Sequence, residues 1–133
     1  MRVYQPTQII LNAKATTGIG SAIDVSGFRH AIISVATASS ANLTVKFKGS
    51  IEEDLTALDF SAAQSVSNMW DYVQVVDAND GSVVNGSTGV VPSGTDVFHI
   101  YEVAIDGLKY LNAHVTARAA GSVTVKVRLF NDV

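Results

Sequence analysis

Three histidines, His30, His99 and His114, are the side chains best suited to proton transfer or metal ligation, but no two share the spacing with which one strand or helix presents a metal site. His114 alternates with Asn112, Thr116 and Arg118 and is expected to face solvent. His99 alternates with Val97, Tyr101 and Val103 and is expected to be partly buried. An enzyme built on His99 would need acids to converge on it in a pocket that perturbs their pKa values. The sequence has no GxSxG elbow, no HExxH pair and no phosphate-cradling glycine loop, and with no cysteine it has no thiolate zinc, iron–sulfur or thiol chemistry. The expectation is a protein that is not an enzyme and carries no cofactor or metal.

Three further groups deserve a chemical reading. Asp77-Ala78-Asn79-Asp80-Gly81 begins like a calcium loop but lacks the full alternation of oxygen ligands and the distal glutamate, and reads as a hairpin turn. Glu52-Glu53-Asp54 could hold a hard cation, although three adjacent acids ordinarily make a solvated loop. Trp70 and Tyr72 would form a sugar-stacking platform if their rings faced outward beside Asp71, giving a carbohydrate-binding or host-receptor adsorption module. In a chain so rich in small residues, the bulky indole is expected instead to fill the space between two sheets. Asn42-Leu43-Thr44 and Asn85-Gly86-Ser87 fit the glycosylation pattern, which matters only in an exported protein.

The elements that must position these groups are strands. Nineteen valines and ten threonines against two prolines favour pleated surfaces, and 133 residues suffice for one domain, residues 1–133, with a core that needs no staples. Val123, Val125, Val127 and Leu129 alternate with Thr124, Lys126, Arg128 and Phe130; Leu43, Val45 and Phe47 alternate with Thr44, Lys46 and Lys48, which are expected to face water. Other strands are expected at residues 7–13, 22–25, 29–37, 72–78, 97–105 and 110–119, with turns at Asn79-Asp80-Gly81 and Asp106-Gly107-Leu108. Three hairpins follow: residues 29–37 with 42–48, residues 72–78 with a short strand near Val83-Val84, and residues 110–119 with 122–131. Residues 52–63 read as a long loop with at most one helical turn. The expected fold is all-β: an antiparallel two-sheet sandwich of about eight strands, jelly-roll-like. Residues 1–8, with Pro6, form either an extended arm that adds to a neighbouring subunit or a frayed end.

Charge is segregated. Between Lys48 and Lys109 there are ten acids and no lysine or arginine, while the flanks hold all nine bases and two acids, beneath a net charge of only −3. Either basic strands neutralise acidic loops within one molecule, or the basic face (Lys46, Lys48, Lys126, Arg128) docks on the acidic loop (Glu52, Glu53, Asp54) of the next copy. The net sign and the lack of interleaved aromatics argue against nucleic acid. No apolar run is long enough for a membrane helix, and residues 1–6 lack the apolar stretch of a signal peptide, so a cytosol-like compartment is expected.

Val25-Ser26-Gly27-Phe28-Arg29-His30, Val45-Lys46-Phe47-Lys48-Gly49-Ser50 before a long polar loop, and Gly121-Ser122-Val123-Thr124-Val125-Lys126-Val127 together resemble small β-sandwich structural proteins of tailed bacteriophages. The resemblance implies a virion component, such as a capsid decoration or auxiliary head protein, assembled in the host cytoplasm. Its implied partners are itself, in a homo-oligomer such as a trimer, and the major capsid or other virion proteins. It transfers no functional residue.

Overall fold

The computed structural model describes residues 2–132, the Arg2 side chain excepted. Every regular element in them is a strand: β1 Arg2–Tyr4, β2 Gln8–Lys14, β3 Gly18–Ile19, β4 Ile23–Asp24, β5 His30–Ser50, β6 Asp71–Val73, β7 Val75–Asp77, β8 Val83–Val84, β9 Gly94–Thr95, β10 Phe98–Ala104 and β11 Tyr110–Asp132. All pairings are antiparallel, and they join into one sheet of eleven strands with the main order β1-β11-β5-β10-β7-β8. The all-β expectation holds. The division into two separate sheets of about eight strands does not, because the strands expected at residues 29–37 and 42–48 are one strand, β5, and those at 110–119 and 122–131 are one strand, β11.

Two of the three expected hairpins are therefore absent, and the long strands pair with each other instead, from Tyr110↔Ser50 to Phe130↔His30. A straight strand of 21 residues would span about 70 Å, against a radius of gyration of about 14 Å for a chain of this size, so the ribbon has to bend. The bend lies where small residues meet: Ser39 takes φ of 63° and Gly121 φ of 79°, and the pairing shifts between Val115 and Ala117, Arg118 and Ala120, and Ala120 and Ser122. These are β-bulges, which raise local twist and turn a strand without ending it. Val115↔Val45 before the bend and Ser122↔Ala38 after it are equally spaced along both strands, so the register survives the corner.

Because register survives, the same alternate residues face inward in both halves. Ile33, Val35, Val125 and Val127 on one side of the corner join Val45, Phe47, Ala113 and Val115 on the other in one buried cluster with Leu11, Tyr101 and Val103. The third expected hairpin is present in shortened form, Val75↔Val84 and Val76↔Val83 across Asn79-Asp80-Gly81, while Tyr72 belongs to β6 on the far edge of β5. The Asp106-Gly107 turn forms, with Leu108 N–H donating to the Ile105 carbonyl, and residues 51–70 are a long loop of turns. The N-terminal segment, of which Met1 lies outside the described residues, is neither a free arm nor a frayed end: Arg2–Tyr4 pairs with Asp132, Asn131 and Phe130 of its own chain.

The corner tolerates no side chain at residue 121. A Cβ there would lie 2.6 Å from the Ala41 Cα and 3.0 Å from the Ala38 carbonyl oxygen, both backbone, in addition to the left-handed φ. Gly27 has a similar φ of 84° with nothing within 4 Å. Gly121→Ala is expected to cost about 3 kcal/mol or more in urea denaturation, and Gly27→Ala only the about 1 kcal/mol of left-handed backbone; equal costs would show that the corner is not close-packed.

Candidate functional site

The bent ribbon has two outer faces, one on each side of the corner. On the face formed by the second half of β5 and the first half of β11, register places Lys46 beside His114 and Lys48 beside Asn112, with Tyr72 on the other flank of Lys48. Alternation predicts that all of them point to water, yet Lys48 retains 3% of its accessible surface. The loop of residues 51–70 covers this face, and its Leu58, Phe60 and Trp70 form a second small core against Ile19, Tyr72 and Tyr110.

Lys48 is the centre of that core. Its ammonium donates to the Phe60 carbonyl oxygen at 2.8 Å, contacts His114 Nδ1 at 2.7 Å and lies 3.8 Å from the centroid of the Trp70 ring. A lysine ammonium has three N–H donors and no acceptor, so carbonyl, imidazole and indole face account for all three. The arrangement fixes the tautomer: while Lys48 is charged, His114 Nδ1 has to be the acceptor and the proton sits on Nε2. Removal from water pushes the Lys48 amine down to about 8, with nearby Lys46 adding to the shift and Asp59 opposing it. Burial and then the Lys48, Lys46 and Lys14 charges hold the His114 imidazole below its ordinary value.

Neighbouring contacts fix the frame. Trp70 and Tyr72 meet edge to face at 4.9 Å, Lys46 lies 5.4 Å above the Tyr72 ring, and Ser50 Oγ donates to the Met69 carbonyl at 2.6 Å to hold the end of the loop. Asn112, 1% exposed, donates to the Gly20 carbonyl and accepts from Ala113 N–H. The buried Trp70 Nε1 has no partner among the described residues, which leaves one donor unsatisfied in an otherwise complete network. Chemically, this site holds a loop. Its amine engages both the imidazole and the face of the indole.

The residues expected to act are thus redistributed. Trp70 is neither an exposed sugar platform nor a filler between sheets; it is 5% exposed on the outside of the sheet, with Lys48 against its ring and Tyr72 half-buried beside it. Lys48 is no surface cation, Lys46 is half-buried, and His114 is not a solvated strand residue. Lys126 and Arg128 stay exposed on the opposite outer face, where Arg128 lies 4.3 Å above the Tyr4 ring. Glu52 is half-buried, and Glu53 and Asp54 are exposed, on the covering loop. His30 stacks on Phe130 at 5.0 Å, and His99 lines an open hollow of about 520 Å³ with Asp77, Asn79 and Phe98, so the three histidines occupy three separate places. No group of three metal-ligating side chains occurs among the described residues.

The acids have a use that neither reading of the charge pattern anticipates. Asp54, Asp59, Asp77 and Asp80 each accept the backbone N–H two residues on, as do Asp24 and Asn85, and in four of these six turns the Ser or Thr hydroxyl donates to the same oxygen. The carboxyls of Asp54, Asp59 and Asp80 are held below their ordinary range by these hydrogen bonds. Among the described residues one ion pair, Arg29–Asp106 at 3.2 Å with both partners exposed, joins the basic flanks to the acidic segment. The Asp-x-Ser/Thr spacing that marks four of these turns, at Asp24, Asp54, Asp59 and Asp80, is visible in the sequence.

No family model and no curated protein matches this chain. Among solved structures, the fold is similar to the SPBc2 prophage-derived protein YomS, with a TM-score of 0.70 and 14% identity over 98% of this chain and 96% of that one. It is also similar to the PBSX exported protein XepA, with a TM-score of 0.72 and 17% identity; there 98% of this chain spans 38% of the other.

The lysine–histidine contact makes stability depend on pH with a definite sign. Between its lowered folded value and about 6.5, the unfolded chain binds a proton at His114 that the folded chain refuses, so stability falls as the solution is acidified through that window. Between about 8 and 10.5 the folded chain holds fewer protons at Lys48 than the unfolded chain, so stability rises with pH. Urea midpoints read from the single tryptophan at pH values from about 5 to about 9.5 should show both rises. His114→Asn should flatten the lower rise and Lys48→Met the upper; a rise that survives its own variant refutes the assignment.

Proposed function

We propose that this chain is a structural protein of a bacteriophage or prophage particle that acts by adhesion, with no reaction of its own. The observation that carries the reading is the end-to-end likeness of fold to the prophage-derived YomS. What supports its non-enzymatic half is the site above, where the groups most capable of chemistry are bound to each other to hold a loop on a sheet.

In its finer form, the protein decorates or reinforces the capsid, assembles in the host cytoplasm as a homo-oligomer and contacts major capsid or other virion proteins. Lys126 and Arg128, exposed and without an ion pair among the described residues, are the bases available for such contacts, with Glu53 and Asp54 on the covering loop as acidic counterparts. Exposed Phe98 and Ile100 supply apolar surface on the same side as the two bases. Many copies of a modest contact give avidity on a repeating lattice.

Particles purified by density gradient from the source phage or induced prophage should contain this chain in many copies by mass spectrometry. The isolated protein should be oligomeric by light scattering at about 50 mM salt and smaller at about 1 M, where the screening length falls to about 3 Å. Absence from intact particles would refute the virion assignment.

A further inference from the structure

The two outer faces of the ribbon are treated differently by their own chain, and the open one has a built-in symmetry. Residues 51–70 cover one face; on the other, Phe98 is 62% exposed, Ile100 42% and Val83 60%. We propose that this open face, carried by β11, β5, β10 and β7, is a two-fold docking surface for a second copy of the same chain. The proposal deepens the self-association reading above and rests on it.

The argument is one of register. Across the face, Arg128 on β11 is level with Ile32 on β5, which is level with Glu102 on β10 and then Val76 on β7 and Val83 on β8. Arg128 and Glu102 therefore flank Ile32 at one strand spacing each, about 4.8 Å on either side. A two-fold axis lying between two such faces, parallel to β5 and passing over Ile32, exchanges the two flanks. It sets Arg128 of each copy against Glu102 of the other, twice, with Ile32 against Ile32 at the centre. One level along, the same operation lays the Lys126 stem over the exposed Ile100, with Ser34 on the axis. Two-fold contacts require a patch that complements itself, and this row does so in both charge and apolarity.

Two further observations fit. Neither Arg128 nor Glu102 makes an ion pair within the described chain, and the Arg128 guanidinium is held above the Tyr4 ring at 4.3 Å, so part of its ordering precedes docking. Beside Glu102, a hollow of about 320 Å³ bordered by Ile32, Val76 and Phe130 has room for the incoming side chain. Seven-residue stretches of β11, β5 and β10, with the short β7 and β8 beside them, make a face of roughly 400 Å², about 800 Å² for the two copies together, which lies below the usual size of stable specific interfaces. The contact is accordingly weak in isolation and suited to a lattice.

The test uses the full chain, whose lack of cysteine gives a clean background. Ile32→Cys places one thiol at the axis, about the 10 Å sheet-to-sheet distance from its symmetry mate, and should be joined to it by a short bis-maleimide, whereas Thr44→Cys, on the other half of β5, should not. In sedimentation, Arg128→Glu and Glu102→Arg should each weaken dimerisation tenfold or more, and the double exchange should restore it, because each contact is then rebuilt with its signs reversed. An oligomer indifferent to both reversals, with no Ile32→Cys crosslink, would overturn this face as the contact while leaving self-association standing. A wild-type chain monomeric at about 200 µM would overturn both.

Discussion

Everything in this molecule depends on the register between β5 and β11. The two strands pair along nearly their whole length, through a corner, and each supplies inward residues to one core from both of its halves. A slip of one residue anywhere along the ribbon would turn Ile33, Val35, Val45 and Phe47 to the outside together with their partners. The bulges at the corner are the device that allows this. They absorb the change of direction in Ala117–Gly121 and Ser39, where all side chains but that of Arg118 are small, and return the strands to the alignment with which they entered. The shorter strands attach to the edges of this ribbon and could change in detail without altering which side faces in.

A ribbon of this kind has an outer face that a short chain must either leave wet or cover. Residues 51–70 cover half of it without a helix or a full strand, so the loop brings few backbone hydrogen bonds of its own to the contact. Lys48 supplies the missing link, because its three donors reach the backbone of Phe60, the ring of Trp70 and the imidazole of His114 at once. A buried cation is a poor source of net stability, since its desolvation opposes most of what its contacts contribute. What it provides is selectivity of arrangement: a methionine of similar length could fill the space, but only a donor would require the Phe60 carbonyl and a neutral His114 in these positions. That is why the site is sensitive to protons while the valine core beneath it is not.

Much of this was readable in the sequence, and one error is instructive. The alternation of Val, Leu and Ile located both halves of β5 and of β11, the polar turns and the loop correctly. The small residues between the halves, Ala38-Ser39-Ser40-Ala41 and Ala120-Gly121, read as hairpin turns. Parity argues otherwise. Residues paired directly across two strands share a face, and a four-residue loop at 38–41 would pair inward Thr37 with outward Asn42. Inward positions are odd-numbered on both sides of both corners, which a continuous strand satisfies and a hairpin of β5 does not. The burial of Lys48 was not legible in the same way. Alternation assigns a residue to a face but says nothing about what lies over that face, and the only hint was a loop holding Leu58, Phe60 and Trp70 with no strand of its own in which to bury them.

The acidic segment separates two meanings of charge. Ten acids without a base look like a surface shaped for a cationic partner, yet Asp54, Asp59, Asp77 and Asp80 are engaged by their own backbone, and Glu52 accepts from Asp54 N–H in the same manner. A carboxylate that closes a turn is selected by the turn, whatever its charge does at a distance. Turns of this type need an Asp or Asn side chain to accept the backbone N–H two residues on, most often here from Ser or Thr, and a loop-rich segment that makes several of them accumulates negative charge as a by-product. The bases give the sharper signal, because a strand has no local requirement for Lys or Arg. Lys48 is explained by its loop and Lys109 by Asp24, whose carboxylate it holds at about 2. Lys126 and Arg128 lie exposed on the same uncovered face as Phe98 and Ile100; Arg128 rests above the Tyr4 ring, and neither base makes an ion pair among the described residues.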